Sequence, residues 1–285
     1  MPKNEFYLLT DSTITCSYLV SKWIESFSHD SNFRGILVKE EQPSIDILQK
    51  RKTFHANYVG QKQLTHTMKK ELNSIYSDFD DTEKAMIDLF GISKSSTTGY
   101  TNTFFLGNNV NGKYAKNFLQ AACKDVSPYI FVCVTQILKP WWIELSHSKI
   151  FNVHSAVLPY ARGVYAIENM ATLRDIDKFK QAAGFTIHYI DEGVDMGPII
   201  RAERVIDPFR FNSIWSLKGY IYMAEFDAYI EMAKEILANE GTMPAGIIQN
   251  PSLRGPNFLG KNFTSDKRRD AEKSYVEMKS QIKNV

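Results

Sequence analysis

Short apolar runs alternate with stretches of helical period along this chain. That alternation predicts an α/β domain with a largely parallel sheet. The runs expected to form strands are residues 6–10, 35–39, 129–134, 150–154, 185–190 and 199–205. The 129–134 run is apolar throughout, as a strand covered on both faces requires. A long helix is expected over 214–239, where Leu217, Ile221, Ala224, Ala228, Met232 and Ile236 recur at spacings of three and four and Gly241 follows as a stop. Asn111 is expected to cap a helix over 112–122. Residues 50–102 break the strand–helix rhythm, with helical stretches at 64–76 and 82–90 and a Ser/Thr-rich loop at 93–103. They are read as an insertion or lid, against the plainer alternative of a solvated connection. The last 25 residues are charged, and Thr264, Ser265 or Asp266 can cap a final helix. The division expected is a catalytic-type domain over 1–210, carrying the insertion at about 50–102, and a helical C-terminal extension over 211–285. There is no internal repeat.

Composition narrows the class. The 285 residues are 44% hydrophobic and 23% charged with a net charge of +2, so nothing points to a polyanion partner and nucleic acid is not expected. Basic residues are scattered except for Lys267, Arg268 and Arg269. No basic and apolar leader pattern opens the chain, and no apolar run reaches the roughly 20 residues of a membrane span. Cys16, Cys123 and Cys133 are too few for a disulfide framework, and Cys133, inside an apolar run, is expected to be a buried small hydrophobe. A reduced cytoplasmic protein with no membrane partner is the expectation.

The chemistry concentrates in two segments. Asn152 and His154 lie two apart at the end of an expected strand, so their side chains share a face, and a Pro159/Gly163 loop follows. Such loops at the carboxyl ends of parallel strands are where α/β folds place ligands. About thirty residues later a strand runs into a Gly-bracketed acidic loop with Asp191, Glu192 and Asp195. An amide, an imidazole and a carboxylate can meet there. A metal site of His154, His188 and Asp195 is chemically conceivable, but the spacing does not support it and no metal is expected. His188 is instead expected to be a core histidine that satisfies a loop carbonyl. The first strand is followed by Asp11-Ser-Thr-Ile-Thr-Cys16 without GxGxxG, which disfavours a dinucleotide. His29, His55, His66 and His147 stand alone, and surface or core positions suffice for them.

Taken in order, Asn152-x-His154, Leu158-Pro159, Arg162-Gly163, Thr186-x-His188 and Asp195-x-Gly197-Pro198 resemble the folate-dependent formyltransferase family. That family includes the glycinamide ribonucleotide, methionyl-tRNA and sugar-nucleotide N-formyltransferases. The resemblance is specific over about 126–205. It implies a Rossmann-like formyltransferase domain, 10-formyltetrahydrofolate as co-substrate, and Asn152, His154 and Asp195 as the catalytic triad. It also implies cofactor contacts from Val134, Thr135, Gln136, Ile137 and Leu138, and from Asp191. Ser155 and Ala156 stand where the family often has Pro-Ser, and Ala161 where it often has Tyr. On this reading Asn152 and His154 donate to the oxyanion of the attacked formyl group, and Asp195 favours the imidazolium of His154 by raising its pKa.

The acceptor is expected to be a small-molecule amine. A hydrolase that deformylates 10-formyltetrahydrofolate and a non-catalytic folate-binding protein are the alternatives. Relatives that act on tRNA carry a β-rich C-terminal domain and need a basic face. The purine-pathway enzyme has a Gly-rich phosphate loop after its first strand. Neither pattern is here, and the extra C-terminal segment and the Gly193-Val-Asp-Met-Gly-Pro198 loop resemble the sugar-nucleotide enzymes, which implies a nucleotide-linked amino sugar, with a peptide or siderophore-type amine as the other candidate. The C-terminal helices offer a surface for a homodimer.

Overall fold

A computed structural model describes residues 4–76, 79–239 and 241–283. In chain order the elements begin with β1 (Phe6–Asp11), α1 (Ile14–Phe27), β2 (Phe33–Lys39), α2 (Ile45–Tyr58), α3 (His66–Ile75), α4 (Asp81–Phe90) and β3 (Thr103–Phe105). Then come α5 (Lys113–Ala122), β4 (Tyr129–Cys133), α6 (Pro140–Leu145), β5 (Ile150–His154), β6 (Arg162–Gly163), α7 (Ala166–Thr172) and α8 (Ile176–Ala182). The chain ends with β7 (Gly184–Tyr189), β8 (Ile199–Arg204), α9 (Ile214–Ala238), β9 (Asn257–Phe258) and α10 (Ser265–Lys283). The fold is α/β, as the apolar pattern predicts. Its contacts divide it into two compact units, Met1–Asn152 with Phe226–Pro244, and Val153–Glu225 with Ala245–Val285.

In the first unit, five strands pair in parallel in the order β3-β2-β1-β4-β5. β1 has β2 on one side and β4 on the other, so the strand order reverses between β1 and β4. The carboxyl ends of those two strands therefore form the kind of crevice where open α/β sheets bind ligands. β1 is buried along its whole length. Behind it, Trp23 lies 5.0 Å from Phe131 and Phe131 lies 5.4 Å from Tyr229 between ring centroids. The Tyr229 hydroxyl accepts from the Val132 amide at 2.7 Å and donates to the Phe151 carbonyl at 2.8 Å. In the second unit β7 and β8 pair antiparallel, and β6 pairs in parallel with β9. Among the described residues no helix is long and apolar enough to cross a membrane.

Several expectations need correction. β3, which begins at the last residue of the expected 93–103 loop, is not among the expected strands, because three half-buried residues at a sheet edge leave no periodic trace. α1 hides behind its Ser/Thr-rich start, where the Thr13 hydroxyl caps the helix by accepting from the Cys16 amide. Asn111 is not a helix cap. Gly112 holds that position without a side-chain bond, while Asn111 donates to the Ile137 carbonyl and accepts from the Lys139 amide. Cys133 is half-buried rather than fully buried. At the final helix, Thr264 is the residue that caps, accepting from Lys267.

Residues 45–102 are fastened into the first unit by buried polar contacts. The His55 ring meets the Ser93 carbonyl at 2.8 Å and the Tyr76 hydroxyl at 2.7 Å. Arg51 pairs with both oxygens of Glu40 and donates to the Ile75 carbonyl. Burial pushes His55 down from 6.5 to about 4 and Glu83 up from 4.5 to about 8. For His55 the unfolded chain takes up the proton first on acidification, so its contribution to stability is lost as pH falls from 6.5 toward 4. For Glu83 the unfolded chain ionises first, so stability is lost as pH rises from 4.5 toward 8. The two effects cancel between 4.5 and 6.5. Between pH 6.5 and 8 the fold is therefore expected to lose about 2 kcal/mol through Glu83. Urea unfolding at a series of pH values checks this. Glu83→Gln should abolish the loss, and a wild-type stability that rises over that interval would contradict it.

Candidate active site

The end of β5 sets His154, and the loop after it is held from several sides. Val157 donates to the Ala182 carbonyl at 2.9 Å. The buried Thr186 hydroxyl accepts from the Leu158 amide and donates to the Ala156 carbonyl, both at 2.9 Å. The turn that carries Asp195 is equally constrained. Asp195 has φ 52°, a left-handed conformation that Asp tolerates better than most residues. A Cβ on Gly197 would lie 1.8 Å from the Tyr189 carbonyl oxygen, so only glycine lets the turn pass there. Gln249 donates to the carbonyls of both Asp195 and Gly197 at 2.9 Å. The Gly163 amide donates to Asp195 Oδ2 at 2.7 Å.

Two imidazoles flank this carboxylate. His154 Nδ1 lies 3.6 Å from Oδ2, and His188 Nε2 lies 3.6 Å from Oδ1. The far nitrogen of each ring sits on a main-chain carbonyl, His154 Nε2 on Ala161 at 3.0 Å and His188 Nδ1 on Tyr189 at 2.8 Å. A carbonyl can only accept, so in neutral His154 the hydrogen is assigned to Nε2 and Nδ1 is the basic atom. Burial raises the Asp195 carboxyl, but His154, His188 and the Gly163 amide outweigh it and hold the group well below the usual carboxylate range. His154 goes the opposite way from the sequence expectation. Burial presses it below its ordinary 6.5, His188 and Lys218 act in the same direction, and the pull of Asp195 and the Ala161 carbonyl does not offset them. The resting arrangement is thus a neutral imidazole beside an ionised carboxylate. A proton arriving on Nδ1 is met at once by opposite charge. Among the described residues no group of His, Cys, Asp or Glu is arranged to hold a metal ion.

The structure brings His154 and Asp195 together and adds His188, whose ring meets the carbonyl of Tyr189 at the end of β7 rather than a loop carbonyl. Asn152 precedes His154 by two residues on β5, half-buried, and is the last residue of the first unit. Val134, Thr135, Gln136, Ile137 and Leu138 form an irregular loop at the carboxyl end of β4. There Thr135 donates its amide to Asp11 at 2.8 Å, and Lys39 bridges Asp11 and the Thr135 hydroxyl, each at 3.2 Å. Gln136 is tied to Val110 and Asn109, while the Ile137 side chain is 64% exposed. Asp191 is exposed and accepts from the Gly193 amide within the acidic turn. Gln249 and Lys218 escape a sequence reading. Gln249 stands alone in an irregular segment, and Lys218 is a single charge beside the apolar stripe of α9.

Comparison with known proteins places these residues in a lineage. Residues 58–209, which is 152 of 285, match the family model described as formyl transferase. The chain is 33% identical over 121 residues to the methionyl-tRNA formyltransferase of Kosmotoga olearia, covering 42% of this chain and 37% of that protein. It is 33% identical over 89 residues to the phosphoribosylglycinamide formyltransferase of Bacillus subtilis, covering 31% of this chain and 43% of that one. The matched part thus spans less than half the length of either curated relative. In fold, the chain is similar to an N-formyltransferase from Helicobacter canadensis solved with folinic acid and dTDP-3-aminofucose. The TM-score is 0.52 at 14% identity, over 97% of this chain and 81% of that one. With more than half of its length matched, and His154, His188 and Asp195 inside the matched span, the chain belongs to the formyl transferase family.

Proposed function

We propose that this protein transfers the formyl group of 10-formyltetrahydrofolate to the amine of a nucleotide-linked amino sugar. The observation that carries the transfer reading is the buried His154 with its Nδ1 3.6 Å from Asp195 Oδ2. Asn152, two residues earlier on the same strand, supplies an amide donor for negative charge growing on a carbonyl oxygen. His154 Nδ1 takes the proton that the attacking amine must lose, and Asp195 stabilises the imidazolium so formed. The 134–138 loop suits a pterin, because it combines main-chain groups at the strand-order reversal with the exposed apolar side chain of Ile137. When bound, 10-formyltetrahydrofolate supplies an activated formyl carbon.

The amino-sugar reading rests on less. The ligands of the Helicobacter canadensis structure favour it. So does the start of α1, whose amides are taken by the chain's own side chains. Thr13 accepts from Cys16, and Glu83 accepts from Thr15 at 3.2 Å. A ribotide phosphate has little to gain there. The decisive measurement is tetrahydrofolate release from 10-formyltetrahydrofolate with dTDP-, UDP- and GDP-linked amino sugars, and without any amine. Release that depends on an amino sugar is expected. Release without amine would make the protein a hydrolase, and formylation of methionyl-tRNA or glycinamide ribonucleotide alone would overturn the acceptor.

A further inference from the structure

Next to Ser155, in the second unit, lies a buried charged group that the proposed chemistry does not use. Lys218 of α9 is 3% exposed and Glu168 of α7 is 1% exposed. The Lys218 ammonium donates to the Ser155 hydroxyl at 2.7 Å, lies 3.4 Å from Glu168 Oε2, and sits 5.1 Å from the centroid of the Tyr222 ring. Ser155 is the residue directly after His154. It is also one of the positions where this chain departs from the formyltransferase pattern, and a proline there would offer Lys218 no acceptor.

Burying an ammonium is expensive, and a buried ion pair seldom repays its desolvation in stability. Such a group therefore calls for a functional account. We propose that Lys218 is a positioning residue for His154: seated by Ser155, Glu168 and the Tyr222 ring, it places a fixed positive charge beside the residue that follows His154 in the chain. This inference rests on the proposed role of His154 as the base. The charged and titratable groups that face His154 are Asp195 from the acidic turn, His188 from β7 and Lys218 from α9, with Glu168 of α7 behind Lys218. Burial and His188 already work against the pull of Asp195 on the imidazole, and Lys218 adds to them while Glu168 and Ser155 keep the ammonium in place. His154 is then basic enough to take the amine's proton and not so basic that it arrives already charged.

The test reads His154 directly. Protein carrying isotope-labelled histidine is titrated by NMR as wild type, Lys218→Met, Lys218→Arg and the double variant Lys218→Met/Glu168→Gln. The double variant removes both charges, so it leaves no buried carboxylate unpaired if the single variant does not fold. Loss of the ammonium is expected to move the His154 titration up by about half to one pH unit, and Lys218→Arg should keep it near wild type. The acid limb of kcat/KM should shift by the same amount, with the acceptor KM unchanged. A folded variant without the ammonium whose His154 titrates as in wild type overturns the inference and leaves Lys218 a structural residue. Because the NMR reading needs no turnover, it stands even if no amine supports formyl transfer, and that failure would count against the proposed function alone.

Discussion

His154→Ala is expected to cut formyl transfer by at least about a hundredfold while the protein remains folded, the usual range for losing a positioned base being about 10²–10⁴. The variant leaves Asp195 with its Gly163 and His188 contacts, so the turn should persist, and circular dichroism can confirm that. Asn152→Ala should lose about 10²–10³ through the missing donor to developing negative charge. The pH dependence adds a sign. With His154 as the proposed base, held below its ordinary 6.5, turnover should be level around neutral pH and fall only on acidification past that lowered value. A folded His154→Ala protein with near wild-type turnover would remove the imidazole from the mechanism.

Gly163→Ala is expected to have the largest effect on stability. Gly163 has φ 86°, which costs an L-residue about 1–2 kcal/mol. A Cβ there would also lie 2.0 Å from the Phe258 carbonyl oxygen and 2.8 Å from the Asn257 side chain, where β6 pairs with β9. Backbone must shift, and the amide bond to Asp195 shifts with it. A total of about 2–4 kcal/mol follows, on the order of 5–10 °C in Tm, with turnover lost as well. Gly60 provides the control. Its φ is 77° but nothing lies within 4 Å of where a methyl would sit, so Gly60→Ala should show the conformational part alone, about 1 kcal/mol. Equal melting temperatures for the two variants would show that the contact with Phe258 does not matter.

The strands that build the sheet are legible because they are buried. β1, β4 and β5 announce themselves as apolar runs, and their observed bounds differ from the expected ones by one residue or none. β3 and the cap of α1 are not legible, since neither leaves a hydrophobic period. Asn111 has the right chemistry for a cap, but a tertiary partner at 137–139 takes its side chain instead. In the candidate site, His154 is legible through spacing and neighbouring Pro and Gly residues, whereas Asp195 is singled out from Asp191 and Glu192 only by the family resemblance. Their charge states are not legible. A carboxylate beside an imidazole suggests an imidazolium, whereas burial, with His188 and to a smaller extent Lys218, all assembled only in the folded chain, reverses the balance. Gln249 lies 54 residues from the Asp195 carbonyl it holds, and nothing near it in the chain hints at that task.

The left-handed backbone at Asp195 limits what drift can do to this position. Most substitutions there disturb the turn before any question of chemistry arises. Asn and Gly can keep the backbone, but neither carries the charge. Glu carries the charge, but it adds a methylene between the turn and the two imidazoles and is less at ease at positive φ. Position 195 therefore has no single-residue neighbour that preserves both shape and ionisation. A lineage that loses Asp195 keeps its architecture only by way of Asn or Gly. Among descendants of this chain, those residues at 195 would mark proteins that have given up the charge between the two imidazoles and kept the fold for another use.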